Sequence, residues 1–411
     1  MSMRSLIILM CTFLGLTLLG MHATPALLPL FVEMWGLSNT EAGWIAGIPY
    51  LTYLIGVSFV GITDRIDARR MLILGAIVNV IGYGGMGLAD GFWSAMAFRT
   101  LQGLGFAWTY LPGVKAISDR VEGESKGRAG SIYVSSFAVC SSLSLLAAAE
   151  TKDAFGWEWA FVLPACTNLV AAALMLFLLP PAVPEGADGG AGGQTLKSRF
   201  IPDFRSILRN REALGFIVGS FAHHFELLAV RGWTVAFLTW VVATRPEVPA
   251  GFNVPLVATI LILIGVPTSM AGGEFAHRAG YAKAAFLVMT ASAVAAFFVG
   301  FSAAWSLWLL IGLVLMHNCF ILADSGMLNG GAVNASDPTQ RGNTVAVFGV
   351  AAAAGGLAGP VLFGVILDHT GNGQTADSWG LAFATVGGVI LFGAIMVRLL
   401  SGRRGGAKFQ E

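Results

Sequence analysis

Twelve apolar stretches, each about long enough to cross a bilayer, constrain this chain more than any other feature. A helix needs about 20 predominantly apolar residues to span the hydrocarbon core. The stretches lie roughly at residues 5–34, 41–62, 70–89, 93–117, 129–149, 156–180, 213–242, 251–275, 283–302, 305–328, 343–367 and 378–399. The sequence thus predicts an all-α membrane protein with twelve transmembrane helices, embedded in a lipid bilayer.

Composition agrees with this prediction and excludes other classes. The 411 residues are 56% hydrophobic and 11% charged, whereas a soluble domain is about 25% charged. No basic run is interleaved with aromatic residues, so a nucleic-acid partner is not expected. No phosphate-binding GxxxxGK[ST] loop occurs, which argues against direct ATP drive. The four cysteines lie in apolar stretches without a CxxC pair, so neither a disulfide nor a metal site is predicted. We expect no enzyme activity and no cofactor.

The distribution of basic residues predicts the orientation of the chain. If both termini are cytoplasmic, nineteen of the 24 Lys and Arg residues lie in cytoplasmic segments, and only Lys152 and Arg245 face the other side. Cytoplasmic loops of membrane proteins carry such an excess. The N-terminal apolar run has no clear cleavage site, so we expect a retained first helix rather than a signal peptide. The predicted location is a cell membrane, the inner one if the source is bacterial.

A polar stretch divides the predicted helices into two equal groups. Residues 181–212 begin with PAVPEGADGGAGGQ and then become basic, as expected of a linker. We therefore predict a six-helix half at 1–180, a cytoplasmic linker at 181–212 and a second six-helix half at 213–411. The chain is expected to be monomeric.

The two halves contain related loops. GITDRIDARR at 61–70 follows the second span, and GGEFAHRAGYAK at 272–283 follows the eighth. Asp64-Arg65 aligns with His277-Arg278, which predicts two repeats related by an axis along the membrane normal.

These features resemble the major facilitator superfamily. Its motif between helices 2 and 3, Gly-x-x-x-Asp-Arg-x-Gly-Arg-Arg, is similar to GITDRIDARR, although Gly61 is one residue too close and Asp67 replaces the second Gly. Its helix-4 motif, Arg-x-x-Gln-Gly-x-Gly, is matched by RTLQGLG from Arg99 to Gly105. The resemblance implies alternating access between the halves.

The resemblance also implies a gating cluster in the loop between helices 2 and 3. A carboxylate there can cap a neighbouring helix N-terminus and pair with Arg. The predicted gating residues are Asp64, Arg65, Arg69 and Arg278. The alternative, that the arginines only obey the positive-inside rule, stays open. Helix 5 lacks the Gly- and Pro-rich motif of many exporting antiporters, while GGLAGPVLFG at 355–364 favours close helix packing.

Most ionisable residues inside the spans fall on helices 1, 4, 7 and 10, which the resemblance implies line the central cavity. Such residues are functional-site candidates. They include His22, Arg99, Lys115, His223, His224, Glu226, Arg231, His317 and Asp324.

Helix 7 carries the densest group, HHFELLAVRGW at 223–233. At 100° per residue, His224 and Arg231 share one face, and Glu226 and Trp233 share another. Glu226 and Arg231 are then about 140° apart, so they serve different roles unless the helix unwinds near Gly232.

Each residue type predicts a role. Arg offers a fixed charge and a planar fork for anions, which favours Arg231 and Arg99 as substrate contacts. Helix coupling or packing is the stronger alternative for Arg99, and a simple ion pair or a snorkelling side chain is the alternative for Arg231. Burial disfavours the charged form of a carboxyl, so Glu226 is the predicted proton carrier, with His223. The predicted substrate-binding residues are Arg231, Arg99, His224, Trp233, His317 and Asn318. A neutral, structurally bonded ring is the alternative for each histidine.

The sequence therefore predicts a secondary transporter that moves a small organic anion by alternating access, with proton-coupled uptake slightly favoured. A proton-driven exporter of amphipathic or drug-like compounds and a membrane sensor without transport are the alternatives.

Overall fold

Helices account for each of the twelve predicted spans within the described residues. The structure, a computed structural model, describes residues 1–60, 63, 66–121, 123, 125–182, 207, 209–246, 248–249 and 251–402. Ten of its helical segments are long and apolar enough to cross a membrane. The remaining two, α4 (Ala68–Met86) and α5 (Phe92–Ser118), each carry two basic residues.

The first predicted span is wrong in one respect, because it is two helices rather than one. These are α1 (Met3–Leu18) and α2 (Ala23–Trp35). Pro25 has no N–H to give to the carbonyl four residues earlier, and its ring crowds that carbonyl. At the break between the two helices, the N–H of His22 donates to Ser144 Oγ at 3.1 Å. The other helices of this half are α3 (Asn39–Val60), α6 (Ser125–Phe155) and α7 (Trp159–Leu178).

The second half consists of six long helices. They are α8 (Arg211–Ala243), α9 (Val254–Ala279), α10 (Tyr281–Phe301), α11 (Leu307–Ala335), α12 (Arg341–His369) and α13 (Ala376–Ser401). Several begin at side-chain caps that satisfy the first free N–H groups. Asn210, Asn253 and Ser306 act in this way for α8, α9 and α11.

Corresponding helices make corresponding contacts in the two halves. The helix that starts each half packs against the fifth and sixth helices of that half, α1 against α6 and α7, and α8 against α12 and α13. The third helix packs against the fourth and sixth, α4 against α5 and α7, and α10 against α11 and α13. The halves are therefore structural repeats.

The chain divides into two compact units by its internal contacts. The first comprises Met1–Trp35 and Ile48–Leu196, and the second comprises Gly36–Gly47 and Lys197–Glu411. The first turns of α3 thus belong to the second unit. Most of the predicted linker, 183–206, lies outside the described residues.

Hydrogen bonds and close packing attach the start of α3 to α12. Asp368 accepts hydrogen bonds from the backbone N–H groups of Asn39 and Thr40 at 2.9 and 2.8 Å. Its carboxylate also accepts from both side chains, at 2.8 and 2.6 Å. A carboxylate at a helix N-terminus satisfies free donors and complements the helix dipole. Next to it, a Cβ on Gly43 would lie 2.4 Å from the carbonyl oxygen of Pro360, which only a glycine avoids.

Two glycines of α12 bring it close to α8. A Cβ on Gly355 or Gly359 would lie 2.2 Å from the carbonyl oxygens of Phe221 and Phe225 respectively. Their spacing of four residues places both on one face of the helix. The structure confirms the packing role predicted for this glycine-rich segment, which holds α12 against the part of α8 that carries the ionisable residues.

Candidate functional site

Glu226 is the centre of a buried polar cluster made by three helices of the second unit. Its Oε1 accepts a hydrogen bond from Ser292 Oγ of α10 at 2.8 Å and lies 2.9 Å from His317 Nε2 of α11. All three side chains are 0% exposed. Burial makes an isolated charge very costly, so a charged Glu226 or His317 is stable here only when the other residue is its partner.

The geometry of this cluster leaves room for a proton. Both contacts converge on Oε1, whereas Glu226 Oε2 and His317 Nδ1 have no hydrogen-bond partner among the described residues. A proton on either of these two atoms would leave both existing contacts unbroken. The cluster can therefore take up or release a proton without rearranging its helices.

A second acid–base contact joins the same two helices. His223 Nδ1 of α8 lies 2.6 Å from Asp324 Oδ1 of α11, and the residues are 1% and 0% exposed. The atoms are close, but the ring is not aligned for a hydrogen bond, so the contact is chiefly electrostatic. His223 and Glu226, predicted to share a proton, thus have different close partners.

The other face of α8 is more accessible. Phe221, His224 and Arg231 are partly exposed, whereas Glu226 and Trp233 are buried. This agrees with the two faces predicted from the helical wheel. The helix is uninterrupted from Arg211 to Ala243, which excludes the alternative that it unwinds near Gly232. Arg231 therefore lies on a different side of α8 from the proton cluster.

Packing accounts for several predicted substrate contacts. Trp233 donates its Nε1–H to the carbonyl of Pro360 at 3.0 Å and stacks on Phe363. Asn318 Nδ2 bonds the carbonyl of Val314 on its own helix at 3.3 Å. His224 Nδ1 lies 2.9 Å from the carbonyl of Ser220. Substrate binding by these residues stays a prediction, and among them only His224 is partly exposed.

The buried polar residues of the first unit have a different kind of partner. Arg99 donates to Gln102 Oε1 at 2.7 Å, and Gln102 donates to the carbonyl of Gly82 at 3.0 Å. This arrangement ties α5 to α4 and supports the packing interpretation of the helix-4 motif. His22 Nδ1 contacts Ser141 O and Ser144 Oγ at 2.7 and 3.1 Å.

The predicted gating residues are only partly described. Asp64 and Arg65 lie outside the described residues. Arg69 donates to the carbonyls of Met175 and Leu176 at the end of α7, which is a helix-capping contact. Arg278 is exposed and pairs with Glu274 of its own helix. Gating by these residues stays a prediction.

Sequence analysis missed the role of Asp67, which it treated only as a departure from the motif. Asp67 caps α4, accepts a hydrogen bond from Arg120 at 2.9 Å and accepts another from the N–H of Ala182 at 3.0 Å. Burial alone raises the pKa of Asp67, but these hydrogen bonds and the charge of Arg120 outweigh it and hold the pKa below its usual value. A capping Asp immediately before a helix was the available signal.

Comparison with known proteins identifies the family. The profile of the Major Facilitator Superfamily matches residues 6–336. The chain belongs to the major facilitator superfamily.

Relatives of this facilitator include two curated proteins. It is 29% identical over 196 residues to Protein spinster homolog 3 of Danio rerio, which covers 47% of this chain and 38% of the relative. It is 25% identical over 211 residues to the uncharacterized MFS-type transporter YcaD of Salmonella arizonae, covering 51% and 52%. The matches thus span about half or less of these relatives.

Solved structures of other facilitators have the same fold. A bacterial homolog to the human lysosomal transporter Spinster, in an inward-facing and unoccupied conformation, superposes with a TM-score of 0.73 at 16% identity, covering 97% of this chain and 95% of that one. The nucleoside transporter NupG, as its D323A mutant, gives 0.79 at 13% identity, covering 97% and 100%. These similarities confirm the predicted fold class.

Proposed function

We propose that this chain is a secondary transporter that takes up a small organic anion together with protons. The observation that carries the proposal is the buried Glu226–His317–Ser292 cluster, in which an acid and a base are both 0% exposed. In a water-soluble core this pair could be a static ion pair. In a membrane-embedded helix bundle, ionisable residues are costly and mark ion or substrate pathways.

The proton step follows from the charge of the pair. With one proton, Glu226 and His317 have no net charge, either as a carboxylate with an imidazolium or as an acid with a neutral ring. Without it, the pair has one negative charge in a buried site, which is strongly disfavoured. The cluster would therefore bind a proton before the site closes and release it only where water reaches Glu226.

The anion is proposed from Arg231. Its guanidinium cannot deprotonate and offers several donors to a carboxylate or phosphate. It lies on the partly exposed face of α8, five residues after Glu226 and on a different side of the same helix. Arg99 is buried against Gln102, which favours a supporting role over direct contact.

A reconstituted protein tests the coupling. Thermal-shift measurements with a panel of small carboxylates and phosphates, and with organic cations as the contrasting class, would first identify a ligand, because ligands that bind the folded state raise its stability. That ligand is then offered to proteoliposomes under an imposed pH gradient. Glu226→Gln keeps the size and an acceptor oxygen but cannot hold the proton, so uphill accumulation should fall to the level without a gradient.

Two outcomes would refute parts of the proposal. Wild-type uphill accumulation by Glu226→Gln would remove Glu226 from proton coupling. Unchanged ligand affinity in Arg231→Lys, which keeps the charge but loses the fork, would exclude bidentate recognition by Arg231. Asp377→Asn, at an exposed position in the first turn of α13, is a matched carboxyl control that should change neither.

A further inference from the structure

Helices α8 and α11 meet in two successive acid–base contacts, and the helix that supplies the acid differs between them. In the first contact α8 supplies the acid, Glu226, and α11 supplies the base, His317, at 2.9 Å. In the second α8 supplies the base, His223, and α11 supplies the acid, Asp324, at 2.6 Å. We name these four residues the acid–base ladder, with an upper pair (Glu226, His317) and a lower pair (His223, Asp324).

The spacing separates the two pairs along the helices. His317 and Asp324 are seven residues apart on α11, which is about two turns and about 10 Å, so both face α8. His223 and Glu226 are three residues apart, about 4.5 Å along α8. The ladder therefore offers two carboxyl groups, each with its own imidazole, rather than two carboxyl groups that share one proton.

We infer that the lower pair, Asp324 with His223, is a second proton-binding site, so that the closed protein carries two protons. The inference rests on the proposed function, whose proton site is the upper pair. With one proton each, the two pairs have no net charge; if both lose it, two negative charges remain at groups that are 0% exposed. Two buried negative charges inside a helix bundle cost far more than one, because the two carboxylates also repel each other.

The other ionisable groups on the helices around the ladder lie mostly in first and last turns, apart from His224 and Arg231 on α8. On α8 the further ionisable groups are Arg211 and Glu212 in the first turn, and His224 and Arg231, which like Glu226 interact electrostatically with His223. The helices α12 and α13, which also pack against α8, carry their ionisable residues in the first or last turns, at Arg341, Asp368, His369, Asp377 and Arg398. On α10 the nearest polar contact is the neutral Ser292, and Tyr281 and Lys283 lie in the first turn; on α9, Glu274, His277 and Arg278 lie in the last turn and a half. On α11 the remaining titratable residue is Cys319.

The orphaned atoms of the ladder support two separate proton positions. Both oxygens of Asp324 and Glu226 Oε2 lack a hydrogen-bond partner among the described residues. Buried polar atoms in native proteins are nearly always paired. A proton at each carboxyl removes the charge for which these oxygens have no donor, and the two carboxyls are on different helices.

Infrared spectroscopy of the full chain in lipid can count these protons without any substrate. The probe is the proton itself: the carbonyl stretch of a protonated carboxylic acid appears as the pH is lowered and shifts in deuterated buffer. In wild type we expect two such bands from buried acids. Glu226→Gln should remove one, Asp324→Asn the other, and the double variant both, while Asp377→Asn should leave both bands in place.

A proton count in unbuffered detergent solution provides an independent readout. Over the same pH range, Asp324→Asn should bind one proton fewer than wild type, and the double variant two fewer. If Asp324→Asn does not fold, Asp324→Glu and His223→Gln keep the test open, because the first should retain a band at a new frequency and the second should change the pH at which the Asp324 band appears.

The outcomes separate the two proposals. A Glu226 band without an Asp324 band, together with an unchanged proton count in Asp324→Asn, overturns the second site and leaves the proposed function intact. Loss of both bands in Glu226→Gln overturns the independence of the two pairs. If accumulation of the ligand driven by the pH gradient survives Glu226→Gln, the proposed function is refuted, whatever the infrared spectrum shows for Asp324.

Discussion

The two units hold buried histidines in contrasting ways. In the first, His22 lies against a backbone carbonyl and a serine hydroxyl. In the second, His317 lies against the carboxyl of Glu226. The contacts of His22 Nδ1 with Ser141 and Ser144 are with neutral dipoles, whereas a proton added to the second cluster cancels a charge. Since both histidines are at most 2% exposed, the partner rather than burial determines which of them can carry a proton.

The largest expected effect separates these two histidines. His317→Gln retains a donor near Nε2 but removes the base, so pH-driven accumulation should fall to background. His22→Asn retains a donor near Nδ1 for the carbonyl of Ser141 and should leave accumulation close to wild type. Uptake into proteoliposomes measures both. Equal loss in the two variants would show that the contrast between the units is not functional.

Removing a partner in the first unit should change stability instead. Gln102→Leu removes one acceptor of the buried Arg99 guanidinium and a side-chain donor to the carbonyl of Gly82. Leaving such a buried group unsatisfied costs about 1–3 kcal/mol, and more for a charged one. Unfolding in a denaturing detergent series would measure the loss. An unchanged midpoint would show that Arg99 has other sufficient partners.

A change at the packing of α12 on α8 should destabilise the second unit. Gly359→Ala places a methyl group 2.2 Å from the carbonyl of Phe225, and such overpacking costs about 1–3 kcal/mol. The matched control is Gly349→Ala on the same helix, where a Cβ meets nothing within 4 Å, and which should be neutral or slightly stabilising. Equal midpoints for the two variants would contradict the close contact.

The smallest effect is expected at Asp67. Asp67→Asn keeps the cap of α4 but loses the charge that faces Arg120, so stability at neutral pH should fall by about 1 kcal/mol or less. The pKa of Asp67 is below its usual value in the folded protein. Its contribution is therefore complete above the unfolded pKa of about 3.9 and is lost as the pH falls towards the folded value. The difference between variant and wild type should shrink in acid, which melting curves against pH would show.

Sequence was sufficient for the positions of the spans and for the two faces of α8, but not for the break between α1 and α2. Hydropathy marked the twelve spans, and a period of 3.6 residues separated His224 and Arg231 from Glu226 and Trp233. The partners of Glu226 and His223 could not be predicted, because they depend on the register of α11 against α8, which no local pattern specifies. Asp324 was noticed as an ionisable residue in a span, yet nothing along the chain linked it to His223.

The membership of Gly36–Gly47 in the second unit also depends on tertiary contacts. Asn39 and Thr40 have ordinary helix-start sequences, and the carboxylate that accepts their N–H groups is more than 300 residues away, at position 368. Capping propensity predicts that a helix begins here, but it does not identify the carboxylate that stabilises its first turn.

That same attachment means that the two repeats are not interchangeable pieces. A fragment ending in the linker would carry the first turns of α3 without Asp368 to cap them. The complementary fragment would carry Asp368 without the N–H groups of Asn39 and Thr40 that donate to it. Each fragment would expose a surface that fits only the other, so separately made halves should associate with the correct partner before either is fully stable.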